Sequence, residues 1–166
     1  VYKRQIYWCV MIFSSFGNAP AEMSFIRMAH AIDEFAKESE EDVFVQVGNT
    51  RYEFKYARIV KFLEHEEMVD AMRRASIVVL QGGWGTISEA IFLKKRIVAI
   101  PRRVGQECHH PQEEVVRYLE KLGCLIGCYN TAELPNLIEK ARRIEFKTLS
   151  RGNAAQYINP FLDNIK

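Results

Sequence analysis

Residues 76–90 read SIVVLQGGWGTISEA: an apolar run, a glycine-rich turn and then a helix-like segment. A continuous apolar run is typical of a strand in a parallel sheet that helices cover on both faces. Gly82, Gly83 and Gly85 each lose more conformational freedom on folding than other residues do. A cluster of three glycines therefore needs a benefit that offsets this entropy cost. Bare backbone at a helix start provides one, because its free N–H groups attract anions. The stretch therefore predicts a strand, a phosphate-binding turn and a helix.

Strands and helices alternate on both sides of this stretch. Apolar runs predict strands at 10–16, 42–48, 57–63, 76–81, 96–101 and 124–129. The spacing of apolar residues predicts helices at 21–39, 66–75, 86–94, 111–122 and 131–143, with Gly123 ending the fourth of them. The alternation indicates an α/β fold, with a Rossmann-like, mostly parallel sheet and helices on both faces. Ligands of such sheets bind beyond the carboxyl ends of the strands, here the loops at 14–20, 48–52, 81–86 and 101–112.

The bulk composition is that of one ordinary globular domain. The chain has 166 residues, of which 48% are hydrophobic and 27% charged. Its net charge of +2 does not favour a nucleic-acid partner. The four cysteines lack the paired spacing of a zinc site, and we expect reduced thiols in a cytoplasmic protein. No segment approaches the roughly 20 apolar residues of a membrane span.

The two ends of the chain are expected to lie outside the domain. Met11 resembles a natural start, so residues 1–10 are predicted to be a non-native or disordered extension. A short signal peptide is the alternative, because Lys3 and Arg4 precede an apolar run. The domain is predicted at 11–145, followed by a polar tail at 146–166.

Thr86 and Glu89 allow two interpretations. In the first, Thr86 adds a hydroxyl donor to a phosphate at the helix tip, and Glu89 reaches past that phosphate to the hydroxyl pair of a ribose. In the second, the two residues form a capping box of the S/T-x-x-E type, which needs no ligand. The loop lacks the P-loop pattern, and no G-x-G-x-x-G follows the first strand. These absences argue against an ATPase or a nicotinamide enzyme.

The run from Ser76 to Arg102 resembles the glycosyltransferase family 28 C-terminal domain, and so do MIFSSFGN, VQVG and HHPQEE in the same order. That domain is the donor-binding half of GT-B glycosyltransferases, and the resemblance covers residues 11–145. Short one-domain members are catalytic subunits of bipartite enzymes, which dock on a membrane-anchored chain that receives a lipid-linked acceptor. The resemblance thus implies a UDP-sugar hexosyltransferase of exopolysaccharide or lipid-linked oligosaccharide synthesis. It also implies a peripheral location at the cytoplasmic membrane face.

The resemblance also implies roles for single residues. The residues expected to hold the UDP diphosphate are Gly17, Asn18, Gly82, Gly83, Gly85 and Thr86. Glu89 matches the glutamate that contacts the ribose hydroxyls, and Gln112 matches the glutamine that contacts the transferred sugar. Many relatives have His where Gln81 stands, so an amide replaces a phosphate-directed imidazole. Many also have an acidic residue or His in place of Pro111.

The loop after the fifth predicted strand carries further candidates. Arg102 or Arg103 is expected to neutralise diphosphate charge, unless the two form a plain surface pair. His110, or its neighbour His109, is a candidate sugar or phosphate contact, with a solvated loop histidine as the alternative. Adjacent residues such as Cys108 and His109 do not easily converge on one ion, so no metal is predicted.

From these residues we expect the chain to supply only part of an active site. The chain is predicted to bind the donor sugar nucleotide as substrate, without a cofactor, and to stabilise the departing diphosphate. The catalytic base is expected on a partner chain, so the isolated chain should transfer little. Two alternatives remain: a non-catalytic nucleotide-sugar-binding or regulatory module, and an α/β domain that binds a different nucleotide or none.

Overall fold

The computed structural model describes residues 11–149 and residue 152. Six strands lie within this part of the chain: β1 (Met11–Ser15), β2 (Asp42–Gln46), β3 (Arg58–Val60), β4 (Ile77–Gln81), β5 (Arg96–Ile100) and β6 (Ile126–Gly127). The α-helices of the same part are α1 (Ile26–Glu38), α2 (His65–Arg74), α3 (Trp84–Phe92), α4 (Glu113–Lys121) and α5 (Leu134–Arg143). Short 3-10 helices occupy Ala21–Met23 and Thr131–Glu133. The predicted extension at 1–10 and most of the predicted tail fall outside the described residues.

The strands form one sheet in the order β3-β2-β1-β4-β5-β6, and every neighbouring pair is parallel. The predicted α/β fold with a parallel sheet is therefore confirmed. The strand order reverses between β1 and β4, which is the topological switch point of a doubly wound sheet. In that pair Ser15 lies opposite Leu80, so the loops after β1 and β4 leave the sheet side by side.

Helices cover both faces of the sheet. On one face α1 and α5 pack against alternate strand residues, among them Ile12, Val79 and Val98. On the other face α2, α3 and α4 pack against the intervening residues, among them Val78 and Leu80. Successive residues of a strand point to opposite faces. Strand β4 thus buries both of its faces, as its continuous apolar run predicts.

Two helix ends show how local sequence sets the boundaries. Helix α4 ends at Lys121 with Leu122 as its C-cap, and Gly123 follows with a φ of +78° that is cheap only for glycine. The N–H groups of Gly123 and Cys124 bond to the carbonyls of Glu120 and Leu119, each at 2.9 Å, which is a Schellman motif. The predicted end of this helix is confirmed. Its start is two positions later than predicted, because Gln112 is the N-cap and Pro111 precedes it.

Helix α3 begins at Trp84, not at Thr86. Gly83 is its N-cap with extended backbone, so the chain turns immediately after β4. Gly82 is closely packed in this turn, because a β-carbon on it would lie 2.9 Å from Gln112 Cβ and 3.0 Å from Pro101 Cα. Thr86 therefore lies inside the first helical turn. The capping-box interpretation of Thr86 and Glu89 is wrong, and a capping box forms instead between Glu64 and Glu67 on α2.

Candidate functional site

The candidate site is a crevice at the carboxyl ends of β1 and β4. Gly17 follows β1 with a φ of +73°, and a β-carbon there would lie 2.1 Å from Gln81 Nε2. A β-carbon on Gly48, after β2, would lie 2.2 Å from the Gly17 carbonyl oxygen. The loops after β1 and β2 therefore meet through bare backbone, and the Gln81 side chain at the end of β4 packs against Gly17. The structure places the predicted residues Gly17 and Asn18 next to the glycine turn, with the Asn18 side chain exposed.

The tip of α3 presents unpartnered backbone donors. The first turn of any helix has N–H groups without intrahelical partners. Within the described residues, the N–H groups of Trp84, Gly85 and Thr86 donate no hydrogen bond, and neither does the Thr86 hydroxyl. Gly85 is exposed, and a β-carbon on it would have no protein atom within 4 Å. The arrangement is suited to an anion, because the helix dipole adds positive potential at the same place.

Glu89 lies on α3 more than one turn below this tip. Its side chain is half-buried. Its carboxylate forms no hydrogen bond or ion pair with any other residue in the described part of the chain. A half-buried carboxylate without a partner is free to accept hydrogen bonds from a ligand. The structure therefore brings Thr86 and Glu89 to one helix end but gives neither of them a capping role.

Arg102 is buried beneath the crevice, with 3% of its surface exposed. Its guanidinium donates to the carbonyls of Phe16 at 2.7 Å, Met23 at 2.7 Å and Glu107 at 3.0 Å, and to Gln81 Oε1 at 2.8 Å. Burial lowers the pKa of Arg102, against the opposing effect of Glu107. The surface-pair interpretation is wrong for Arg102.

The sequence contains no signal for this burial. Arg102 and Arg103 are identical neighbours at a strand end, and only Arg103 is exposed. The centroid of the Phe25 ring lies 4.4 Å from the Arg102 guanidinium carbon, which is a cation–π contact. Arg102 therefore holds together loops that are distant in sequence. Its predicted contact with a diphosphate stays a prediction.

Gln112 lies beside the glycine turn, at the N-cap of α4. Its Oε1 accepts the backbone N–H of Arg102 at 3.1 Å, and its Nε2 donates to Gln81 Oε1 at 3.4 Å. One N–H of this amide therefore remains without a described partner. The structure brings Gln112 to the crevice as predicted, while its contact with a sugar stays a prediction.

The loop after β5 is folded tightly on itself. Glu107 pairs with Arg27 of α1 at 2.9 Å and accepts the backbone N–H of Arg103 at 2.8 Å. Cys108 Sγ donates to the carbonyl of His110 at 3.0 Å. The imidazoles of His109 and His110 are exposed. In the described part of the chain, no group of three or more His, Cys, Asp or Glu side chains is arranged to hold a metal ion.

The strand order and the crevice at its switch point define a Rossmann-like domain of the type found in GT-B glycosyltransferases. The family model of the glycosyltransferase family 28 C-terminal domain matches residues 21–164. The chain belongs to this family. The comparison with curated proteins returned no match.

Solved structures with the same fold are glycosyltransferases. The glycotransferase of kitacinnamycin is 14% identical, with a TM-score of 0.64, and the match covers 86% of this chain and 37% of that one. MurG of Acinetobacter baumannii is 16% identical, with a TM-score of 0.61 and coverage of 99% and 55%. The calicheamicin glycosyltransferase CalG4 is 15% identical, with a TM-score of 0.60 and coverage of 86% and 36%. The chain thus spans between about a third and just over half of these enzymes.

None of the helices in the described residues is both long enough and apolar enough to cross a membrane.

Proposed function

We propose that this chain is the donor-binding catalytic subunit of a UDP-sugar-dependent glycosyltransferase. It would transfer a hexose or N-acetylhexosamine to a lipid-linked acceptor in polysaccharide or glycan synthesis. The observation that carries the proposal is the unpartnered tip of α3, with free N–H groups at Trp84, Gly85 and Thr86 and a free carboxylate at Glu89. Family membership and the shared GT-B fold support it.

The diphosphate of the donor would lie between the α3 tip and the loop after β1. Backbone donors there are already in place and need no reorganisation, so they stabilise the negative charge that develops on the leaving diphosphate. Gly85, where an added β-carbon would have no protein atom within 4 Å, lets the phosphate oxygens approach the main chain closely. UDP-sugar is the substrate in this proposal, and the step requires no cofactor.

Glu89 would bind the ribose. A carboxylate close to the diphosphate repels it, whereas the two ribose hydroxyls can both donate to one carboxylate. The position of Glu89, beyond the first turn of α3, separates it from the phosphate-binding N–H groups. Gln112 and the exposed His110 would contact hydroxyls of the transferred sugar at the opposite side of the crevice.

A membrane-anchored partner chain would complete the active site. The chain spans only about a third to just over half of the solved glycosyltransferases it resembles. Four large apolar residues, each about half exposed, follow strands at the carboxyl edge around the crevice: Ile26, Phe62, Trp84 and Val104. These side chains are available for burial against the partner, and apolar area removed from water drives association. The partner would supply the catalytic base and the acceptor, and it would hold this chain at the cytoplasmic membrane face.

Titration calorimetry on the full chain tests the proposal. We expect UDP and at least one UDP-sugar to bind, and ADP to bind at least tenfold more weakly. Equal binding of UDP and ADP, or no binding of either, would contradict it. Turnover is expected only when a membrane-anchored partner is added with a lipid-linked acceptor. Binding without turnover in the reconstituted pair would indicate a non-catalytic nucleotide-sugar-binding or regulatory module instead.

A further inference from the structure

We propose that a groove between α1 and α5 is a docking site for a basic amphipathic helix of the membrane-anchored partner. The groove lies on the face of the sheet that α1 and α5 cover, and it shares no residue with the crevice. The identity of the partner rests on the proposed function, whereas the shape and charge of the groove do not. The inference gives the partner a second contact, separate from the exposed apolar residues around the crevice.

The middle of the groove is apolar and open. The groove has a volume of about 620 Å³. Ala31 and Phe35 of α1 form one side, and the other side is formed by Pro135 of α5 and by Ala132 of the 3-10 helix before it. Phe35 packs against the core, while Ala132 and Pro135 are exposed. An open apolar groove between two helices can receive one face of an amphipathic helix.

Carboxylates surround this apolar part. Within the described residues, the lining contains neither lysine nor arginine but four glutamates: Glu34, Glu38, Glu41 and Glu139. Nearby, Lys37 Nζ lies 3.9 Å from Glu34 and 3.6 Å from Glu38. Arg142 pairs with Glu41 and with Glu139. Two cations thus oppose four carboxylates, and the groove keeps a negative charge although the whole chain has a net charge of +2.

The stability of α1 does not explain its glutamates. Glu34 and Glu38 lie four positions apart, a spacing at which like charges on a helix repel each other. Both lie toward the C-terminal end of α1, where the helix dipole favours cations. Helix α5 follows that preference, because Lys140, Arg142 and Arg143 lie in its last turn. The carboxylates of α1 are therefore unfavourable for the helix itself and are suited to a cation from another chain.

The expected partner carries the complementary charge. Cytoplasmic segments next to a membrane span are enriched in Lys and Arg. A helix from such a segment would place apolar side chains on Phe35 and Ala132 and its cations beside the glutamates. Burial of apolar surface would supply affinity, and complementary charge would select the partner. Two separate contacts with one partner raise the effective concentration of each, so weak docking at the groove would strengthen the whole complex.

Nuclear magnetic resonance of the full chain tests the groove with a defined probe. The probe is a synthetic helix of about 18 residues, or about five turns, with leucine on one face and lysine on the other. We expect the backbone amides of Ala31, Phe35 and Ala132 to shift, while those of Gly85 and Thr86 at the crevice stay in place. Unmoved groove signals would overturn the inference.

The charge of the probe tests the role of the glutamates. A second probe has glutamate in place of lysine, and we expect it to bind about tenfold more weakly or less. Affinity for the lysine probe should also fall between about 50 mM and 500 mM NaCl, because salt screens exposed charges. Equal binding of the two probes would overturn the inference.

Two variants of the chain separate the two parts of the groove. The double variant Glu34→Gln with Glu38→Gln removes two carboxylates, and we expect affinity for the lysine probe to fall about tenfold. Its stability should not fall, because a repulsion within α1 is removed. Ala132→Phe fills the apolar part without a change of charge, and we expect a loss of about tenfold there too.

The matched control is Glu66→Gln with Asp70→Asn. This double variant removes two exposed carboxylates at the same spacing from α2, which covers the opposite face of the sheet. We expect it to bind the lysine probe as the unmodified chain does. Equal losses in the two double variants would overturn the inference, because they would reflect net charge alone.

The outcomes separate this inference from the proposed function. In the reconstituted pair, the groove variants should weaken partner binding and leave UDP affinity unchanged. Undiminished partner binding in both groove variants would overturn the inference and leave the proposed function standing. If the unmodified chain binds the lysine probe but neither UDP nor any UDP-sugar, the proposed function fails and the assignment of the partner fails with it. A dimer of the chain alone that is lost in Ala132→Phe would mean that the groove binds a second copy instead.

Discussion

Arg102 donates a hydrogen bond to the Phe16 carbonyl at 2.7 Å, across 86 positions of the sequence. The same guanidinium reaches Met23, Gln81 and Glu107, so one buried side chain joins the loop after β1, the end of β4 and the loop after β5. These are the loops that form the candidate site. The stability of the crevice therefore depends on a residue that is itself almost inaccessible to solvent.

We predict that Arg102→Lys lowers the free energy of unfolding by about 3 kcal/mol. A lysine ammonium keeps the charge but cannot reach the four acceptors of a planar guanidinium, so buried carbonyls lose their donors. Urea unfolding at neutral pH measures the change. The neighbouring Arg103→Lys is the control, and we expect it to change stability by less than about 0.5 kcal/mol because Arg103 is exposed. Equal losses of stability in the two variants would contradict the role of Arg102 in holding these segments together.

We predict that Gly85→Ala stabilises the fold while weakening ligand binding. Gly85 lies in the first turn of α3, and a β-carbon added there would have no protein atom within 4 Å, so alanine should gain about 0.5–1 kcal/mol. The added methyl group would meet the diphosphate, and we expect UDP affinity to fall at least tenfold. Thermal unfolding and calorimetry measure the two effects.

Gly105→Ala is the matched control for this pair of measurements. Gly105 also has open space around it, but its φ of +78° makes alanine unfavourable. We expect a loss of about 1 kcal/mol in stability and no change in UDP affinity. If Gly85→Ala bound UDP as well as the unmodified chain does, the bare backbone at Gly85 would not serve a phosphate.

We predict that Glu89→Gln leaves stability unchanged and reduces discrimination between ribose and deoxyribose. The Glu89 carboxylate has no partner in the described residues, so its loss should cost the fold less than about 0.5 kcal/mol. UDP should bind about tenfold more weakly, whereas 2′-deoxy-UDP, which keeps only one of the two hydroxyls, should lose less affinity. Glu66→Gln, on the exposed first turn of α2, controls for the change in charge. A variant that lost stability and kept its preference for UDP would show that Glu89 supports the helix instead.

We predict that stability falls with rising pH between about pH 9 and pH 11. Burial raises the pKa of the Cys128 thiol from 9.0 to about 11, with smaller opposing effects from Arg27. The unfolded chain therefore releases this proton at lower pH than the folded chain, and each pH unit in that window costs up to about 1 kcal/mol. Below about pH 8 the thiol is almost entirely neutral in both states and the contribution is constant.

Cys128→Ala tests this pH dependence. Urea unfolding under reducing conditions at pH 8 and pH 10 should show a smaller loss of stability in the variant than in the unmodified chain. The variant will be less stable at pH 8, because Cys128 fills space in the core. The difference between the two proteins should narrow at pH 10. An equal difference in stability at pH 8 and pH 10 would mean that the pKa of Cys128 is not raised in the folded state.

Much of the architecture could be predicted from local sequence. The apolar run at 77–80 predicts a strand buried on both faces, and the structure has such a strand in β4. Gly123 predicts a helix end, because only glycine adopts its backbone conformation cheaply. The position of α3 was less predictable. Thr86 and Glu89 match a capping box, but the helix starts at Trp84 with Gly83 as its N-cap.

The sequence by itself determined the alternation of strands and helices, the parallel sheet and the loops at which a ligand would bind. These features depend on residue spacing and glycine conformation, which act over a few positions of the chain. The tertiary structure alone decided that Arg102 is buried while Arg103 is exposed, and that the Gln81 amide faces Gly17. Those outcomes depend on hydrogen-bond partners from strands that become neighbours only when the sheet forms. Such partners lie 21 and 86 positions from Arg102, beyond the reach of any local pattern.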